Sequence, residues 1–366
     1  QLLTAPERFE KIVLSTVSDS SPDVVMVGSD AIELGNYGAL LPLNSFIEED
    51  GIVLDEIFYP YVSDLVQSKG NIFYLPNMGG GPNSLIYYNR QTFEEAGLDS
   101  RRPPQTWSEL MDISRRLVEH DGTNLVKIAI DVVGSNQVDV RGSNIQEWFL
   151  SNGVYLWDGE GNVLFNTSDG VETVQWVLDF TNSINQGEEA LRGFYIRTAS
   201  DSQAAFLAQN SAMLLSGSHV YSYAEQRGLD VGVGLRPHND KDFLGSASAG
   251  WGYGIPSGTK HPEAAWELLK WLTMSEEGAG WFALQQGRPS AVVEFNTNEA
   301  YYDANPYWSV FIEGFMKSAP LYAAPADHLK VLATMITDVV QMRSNPKDAI
   351  AEGSRQLQRL FDEWKQ

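Results

Sequence analysis

Along the chain, short β-branched runs alternate with stretches whose apolar residues recur at helical spacing. Residues 7–17 carry Phe9, Ile12, Val13 and Val17, which predicts a short amphipathic helix, and Ser18-Asp19-Ser20-Ser21-Pro22 breaks it. Asp23-Val24-Val25-Met26-Val27 then predicts a buried parallel strand with Gly28-Ser29-Asp30 at its carboxyl end. Asn71-Ile72-Phe73-Tyr74-Leu75-Pro76 and residues 84–88 read as further strands. Thr106-Trp107-Ser108-Glu109 has the form of a capping box that opens a helix through about residue 117. Residues 201–209 are predicted helical, 211–215 and 231–235 extended, and 262–273 helical with Pro262 at the start. Strands and helices are interleaved rather than segregated, which argues for α/β layers throughout.

At 366 residues the chain exceeds one ordinary core and fits two lobes. It shows no internal repeat and no long Gly/Ser or Pro-rich linker, so the lobes are expected to interleave along it. Two segments are candidate crossings, Gly79-Gly80-Gly81-Pro82-Asn83 and Gly245-Ser246-Ala247-Ser248-Ala249-Gly250, since a hinge must absorb backbone rotation. Either also suits an ordinary loop.

Composition narrows the function. Forty-eight acidic against 25 basic residues give a formal net charge of −23, which repels phosphate backbones and anionic lipid surfaces and argues against nucleic acid as a partner. A solvated acidic surface explains the same surplus. Cysteine is absent, which removes disulfides, thiolate metal sites and a cysteine nucleophile. No apolar run is long enough to span a membrane, and Gln1-Leu2-Leu3-Thr4 lacks the features of a signal peptide, so direct membrane insertion of the chain as given is not expected. If the protein is exported, its targeting segment has been removed.

The motifs that carry catalysis are missing. There is no His-Glu-x-x-His pattern, no Walker A loop, no complete Gly-x-Ser-x-Gly elbow and no Gly-x-Gly-x-x-Gly fingerprint. Gly79-Gly80-Gly81 is a poor phosphate cradle, because Pro82 supplies no amide donor and no Lys-Ser/Thr pair stands beside it. His120, His219, His238, His261 and His328 are dispersed, with none at metal-ligand spacing from another. Adjacent acids such as Glu48-Glu49 and Glu276-Glu277 point in different directions and suit a solvated face better than a glycosidase pair. No cofactor and no metal are expected, and the reading is of a binding protein, not an enzyme.

A set of aromatic and polar residues at loop positions remains: Asp30, Asn77, Trp148, His219, Trp251 and Tyr253. A pyranose packs its C–H faces on aromatic rings and needs carboxylate, amide or imidazole partners for its hydroxyls, so these residue types are suited to a sugar. Core packing is the competing account of each tryptophan.

Ser21-Pro22-Asp23-Val24-Val25-Met26-Val27, followed by Gly38-Ala39-Leu40-Leu41-Pro42-Leu43, resembles the extracellular solute-binding protein family of ABC importers, in its carbohydrate-binding, maltose-binding-protein-like branch. Leu85-Ile86-Tyr87-Tyr88-Asn89-Arg90, Phe93-Glu94-Glu95-Ala96-Gly97-Leu98 and Pro103-Pro104-Gln105-Thr106-Trp107-Ser108-Glu109-Leu110 follow in the family's order. Ala212-Met213-Leu214-Leu215-Ser216-Gly217-Ser218 and Gly250-Trp251-Gly252-Tyr253-Gly254-Ile255-Pro256 continue it, so the resemblance covers nearly the whole chain. It implies a periplasmic-binding-protein fold: two α/β lobes joined by crossing hinge segments, with a ligand cleft between them. Residues 1–80 and 247–305 would form lobe 1, residues 85–243 and 306–366 lobe 2, with hinges near 79–84 and 244–250. It also implies an extracytoplasmic protein, periplasmic or a cell-surface lipoprotein, that delivers a small-molecule ligand, a sugar first, to the permease subunits of an ABC transporter and works as a monomer.

Residue by residue, the resemblance implies a sugar-hydroxyl acceptor at Asp30, with a helix N-cap as its alternative role. Trp148 matches the segment that often supplies an aromatic platform, with core packing as its alternative. His219 matches a position facing the cleft, Trp251 the hinge-side aromatic, with Tyr253 beside it. Asn77 and Arg288 either touch ligand or brace loops. A non-sugar solute on the same fold, such as a glycerophosphodiester, polyamine or peptide, is the alternative ligand class. The family normally begins with a strand and a long helix ahead of the segment matching residues 1–17. Roughly 30–40 residues are therefore expected to precede this stretch, from the size of a βαβ start. Without them lobe 1 would carry unpaired strand edges.

Overall fold

The computed structural model describes residues 5–16, 20–28, 30–59, 61–78, 85–122, 124–134, 138–239, 245–247, 250–322, 324–325 and 327–365. The chain divides into two compact units. The first comprises 1–81, 247–312 and 320–323, and the second 82–246, 313–319 and 324–366. The hinge segment 79–83 lies outside the described residues, as do Ser248 and Ala249 of the second, whose start forms the strand Gly245–Ala247.

The first unit is organised on a three-stranded sheet with Gly252–Gly254 in the middle, Val25–Val27 on one side and Leu75–Pro76 on the other. Both pairings are antiparallel, Val25 opposite Gly254 and Tyr253 opposite Leu75. This corrects the expectation of a buried parallel strand at 23–27: its neighbour in the sheet is a segment more than 200 residues downstream that runs the other way, and only Val27 of the three is fully buried. The middle strand fits because it has glycines where the backbones crowd. A Cβ at Gly252 would stand 2.0 Å from the Leu75 carbonyl oxygen, so only glycine is tolerated there. Helix Pro262–Met274 covers this unit with Ala265, Trp266, Leu269 and Thr273 buried, a single stripe at helical spacing, and Pro in its first turn.

The second unit holds another antiparallel three-stranded sheet, Leu85–Asn89 flanked by Met213–Ser216 and Val231–Leu235. All five residues of the central strand are buried, as both of its faces are covered. Helix Trp107–Leu117 starts as its sequence predicts. The Thr106 hydroxyl accepts from the Glu109 amide at 3.2 Å, and the Glu109 carboxylate accepts from the Gln105 amide at 2.8 Å. Burial opposes the charge on Glu109, but that bond and Arg102 prevail and hold its carboxyl below the usual range. Helices Val138–Ser151, Ser168–Ile184, His328–Val340 and Pro346–Trp364 pack as a further layer. The first of them touches the third backbone to backbone: a Cβ at Gly142 would lie 2.3 Å from the Leu329 carbonyl oxygen.

Candidate solute-binding site

In the first unit the end of strand Val25–Val27 delivers Gly28, and Asp30 opens helix Asp30–Asn36. Asp30 Oδ1 accepts from the Gly28 amide at 2.7 Å. Its Oδ2 accepts from Arg8 Nε at 3.2 Å and Nη2 at 2.5 Å, a two-pronged ion pair with side chains only 16% and 21% exposed. Arg8 comes from helix Ala5–Thr16, and its guanidinium lies 4.9 Å over the ring of Trp251. The edge of that ring also lies against Gly28, where a Cβ would be 3.6 Å away. Trp251 itself stays 38% exposed.

Trp251 is fixed through its backbone. Gly250 before it has φ +91, a left-handed conformation suited to glycine. The Trp251 carbonyl accepts from the amides of Asn77 at 3.0 Å and Met78 at 3.3 Å. Asn77 is 4% exposed, and Met78 bridges Ser290, which draws the 288–290 loop alongside. Arg288, half-buried, sits just past the left-handed Gly287 that ends helix Trp281–Gln286. Tyr253 is half-buried in the middle strand opposite Met26 and Leu75, and burial raises its hydroxyl pKa. The Asp30 charge is felt by its neighbours: burial first, then Asp30, raises Glu33 above the usual carboxylate range, and the same two causes raise Tyr74.

Five of the seven residues expected to meet ligand thus belong to the first unit: Asp30, Asn77, Trp251, Tyr253 and Arg288. Trp148 and His219 belong to the second. His219 immediately precedes helix Val220–Gln226, half-buried, with Nε2 3.2 Å from Gln203 Oε1 and its ring edge-on to Tyr223.

Trp148 corrects the expectation of an aromatic platform. It is 0% exposed, its indole N–H donates to the Val132 carbonyl at 2.8 Å, and its ring meets Trp107 and Trp176 at 6.1 and 4.6 Å. Arg236, also buried, lies 4.7 Å over it; burial lowers the pKa of that guanidinium to about 10, against the opposing charge of Glu147. The ring has no face left for a solute, because helix Val138–Ser151 turns it into the unit's own core. Arg8 is the residue the sequence reading missed. It stands 22 positions before Asp30, on a helix that showed only its apolar stripe, so no local pattern announces the pair.

No helix among the described residues is long and apolar enough to cross a membrane, and no cluster of His, Cys, Asp and Glu among them could hold a metal ion.

Comparison with known proteins gives this arrangement a context. The sequence matches the sn-glycerol-3-phosphate-binding periplasmic protein UgpB of Pectobacterium atrosepticum at 23% identity over 305 residues, 77% of this chain and 64% of that protein's own length. The chain thus spans a little under two thirds of that relative. In three dimensions it is similar to UgpB from Mycobacterium tuberculosis in complex with glycerophosphocholine, with a TM-score of 0.81 at 14% identity over 99% of this chain and 89% of that one. It is similar also to the cyclic alpha-maltosyl-1,6-maltose binding protein from Arthrobacter globiformis, with a TM-score of 0.80 at 18% identity over 99% and 90%. These likenesses identify the fold as that of the periplasmic solute-binding proteins, which are binding proteins rather than enzymes. The profile of the bacterial extracellular solute-binding proteins matches residues 5–279, well over half of the sequence. The chain, with its α/β units and extracytoplasmic setting, belongs to the bacterial extracellular solute-binding protein family.

Proposed function

We propose that this chain is the solute-binding component of an ABC importer, that its solute is a sugar or oligosaccharide, and that it performs no chemistry on it. The observation that carries the reading is the partly exposed indole of Trp251 bordered by the polar Arg8–Asp30 pair in one unit. An apolar ring beside hydrogen-bonding groups is what a pyranose needs. Asn77, Tyr253 and Arg288 extend the same neighbourhood, and His219 is the second unit's contribution in this proposal. The permease subunits of the importer are the proposed partners, and the proposed form is a monomer.

In the proposed mechanism lobe 1, residues 1–80 with 247–305, and lobe 2, residues 85–243 with 306–366, close on the solute about hinges near 79–84 and 244–250. Contacts made only in the closed state would shift the equilibrium toward it by that differential affinity. The neighbour holding glycerophosphocholine supports a second reading, a glycerophosphodiester on the same fold, and the relative named for sn-glycerol-3-phosphate, a monoester, shares only its glycerol phosphate part. A thermal-shift screen of mono-, di- and oligosaccharides beside glycerophosphodiesters, polyamines and peptides tests both, because a solute that binds only the native state raises the melting temperature. A rise with saccharides alone, without product formation, upholds the first reading. A rise with phosphodiesters alone replaces it with the second.

A further inference from the structure

Asp30 is engaged on both oxygens, Oδ1 by the Gly28 amide and Oδ2 by two N–H groups of Arg8. A carboxylate held in this way is a weak candidate for a solute hydroxyl, since a newcomer competes with charge-assisted bonds already made. The guanidinium offers the opposite polarity. It carries only donors, and its bonds to Asp30 use Nε and Nη2. The side chain is 16% exposed and none of its nitrogens is sealed from solvent without a partner, so its other N–H groups can take an oxygen from water or from a solute.

Shape and charge agree. The guanidinium lies over the ring of Trp251 and that residue is still 38% exposed, so donors border an exposed apolar surface. Oxygens of a saccharide meet the donors while its C–H faces meet the ring. The positive charge of Arg8 is already balanced by Asp30, with Glu33 in the same field, which leaves no surplus to draw a phosphate. A cationic solute is disfavoured more directly, because at the carboxylate and over the ring it would meet the like charge of the guanidinium.

We propose that Arg8 is the residue that reads the solute, that Asp30 is a positioning residue that holds its guanidinium while Trp251 both holds it and meets the solute, and that the group selects an uncharged, polyhydroxylated solute over phosphate esters and cations. The inference rests on the carbohydrate reading above.

Calorimetric titration of the full chain with mono- to tetrasaccharides, glycerophosphocholine and spermidine tests it, using the wild type, Arg8→Met, Arg8→Lys, Asp30→Asn and the Arg8→Met/Asp30→Asn pair. Thermal melts of each confirm the fold. The expected result is a saccharide bound by the wild type, at least tenfold weaker binding by Arg8→Met, partial recovery in Arg8→Lys, and no recovery in the double variant, which removes the orphaned carboxylate together with the donor. A merely structural ion pair would shift the melts while leaving the affinity of the folded protein unmoved. Saccharide binding by folded Arg8→Met at or above wild-type affinity overturns the role of Arg8 and leaves the carbohydrate reading standing. Preference for glycerophosphocholine overturns the carbohydrate reading and the selectivity, while a tenfold loss in Arg8→Met with that probe upholds Arg8 as the reading residue. Binding of spermidine alone, or of no member of the panel, overturns both.

Discussion

Arg141 and Glu188 form an ion pair at 2.7 Å inside the second unit, with side chains only 10% and 12% exposed, and still the Glu188 carboxyl is pushed above its usual range. Burial is the first cause, the nearby Asp131 charge adds to it, and Arg141 does not fully offset them. The folded state therefore holds a proton on Glu188 more readily than the unfolded chain. The stability this gives is complete below the ordinary carboxylate pKa of 4.5 and is lost as pH rises through the raised value. Glu188→Gln keeps an acceptor for Arg141 and lacks the titration, so its stability relative to wild type should improve as pH rises above 4.5, read by denaturant unfolding at a series of pH values. A gap between the two proteins that stays constant across that range would sink the argument. Glu188→Ala, which removes the carboxylate that Arg141 pairs with, should cost about 3 kcal/mol.

Trp251→Ala should weaken saccharide binding by roughly 1–3 kcal/mol, the usual scale for losing an aromatic contact with ligand, while leaving the melting temperature near wild type because the ring is partly exposed. Calorimetry on the folded variant decides it, and unchanged affinity removes the ring from the site.

Trp148→Ala should behave in the opposite way. Removing a fully buried indole from the Trp107–Trp148–Trp176 cluster should destabilise the chain by about 3–5 kcal/mol, seen in denaturant unfolding. If it lost affinity with stability intact, the packing role given to it here would be wrong.

Gly252→Ala places a methyl group against the backbone of Leu75 and Pro76, which cannot yield as a flexible side chain would. A cost of about 2–4 kcal/mol is expected, with Val25–Val27 and Leu75–Pro76 losing hydrogen-exchange protection first. Wild-type exchange in those strands would count against it.

What was legible in the sequence was local. The capping box at Thr106 and Glu109 lies within one turn and predicted helix Trp107–Leu117, and Pro262 marked helix Pro262–Met274. The pattern at residues 231–235 predicts an extended segment, and they form the strand Val231–Leu235. The direction in which Val25–Val27 is paired was not legible, because its partner is Gly252–Gly254 and nothing in the β-branched run reports a distant neighbour. The same distance hid the Arg8–Asp30 pair. Trp148 fails for another reason: resemblance gives a residue's place along the chain, while Val132, Trp107 and Trp176 decide whether its ring meets solvent.

The sheet of the first unit has a consequence for biosynthesis. Its middle strand, Gly252–Gly254, is synthesised after the whole strand set of the second unit's sheet, Leu85–Asn89, Met213–Ser216 and Val231–Leu235. A nascent chain that has emerged only as far as Leu235 holds two strands of the first unit without the one that joins them, while the three of the second are complete. The sheet of the first unit thus closes later on the ribosome than that of the second, and until Gly252–Gly254 emerges its two early strands have no partner to join them.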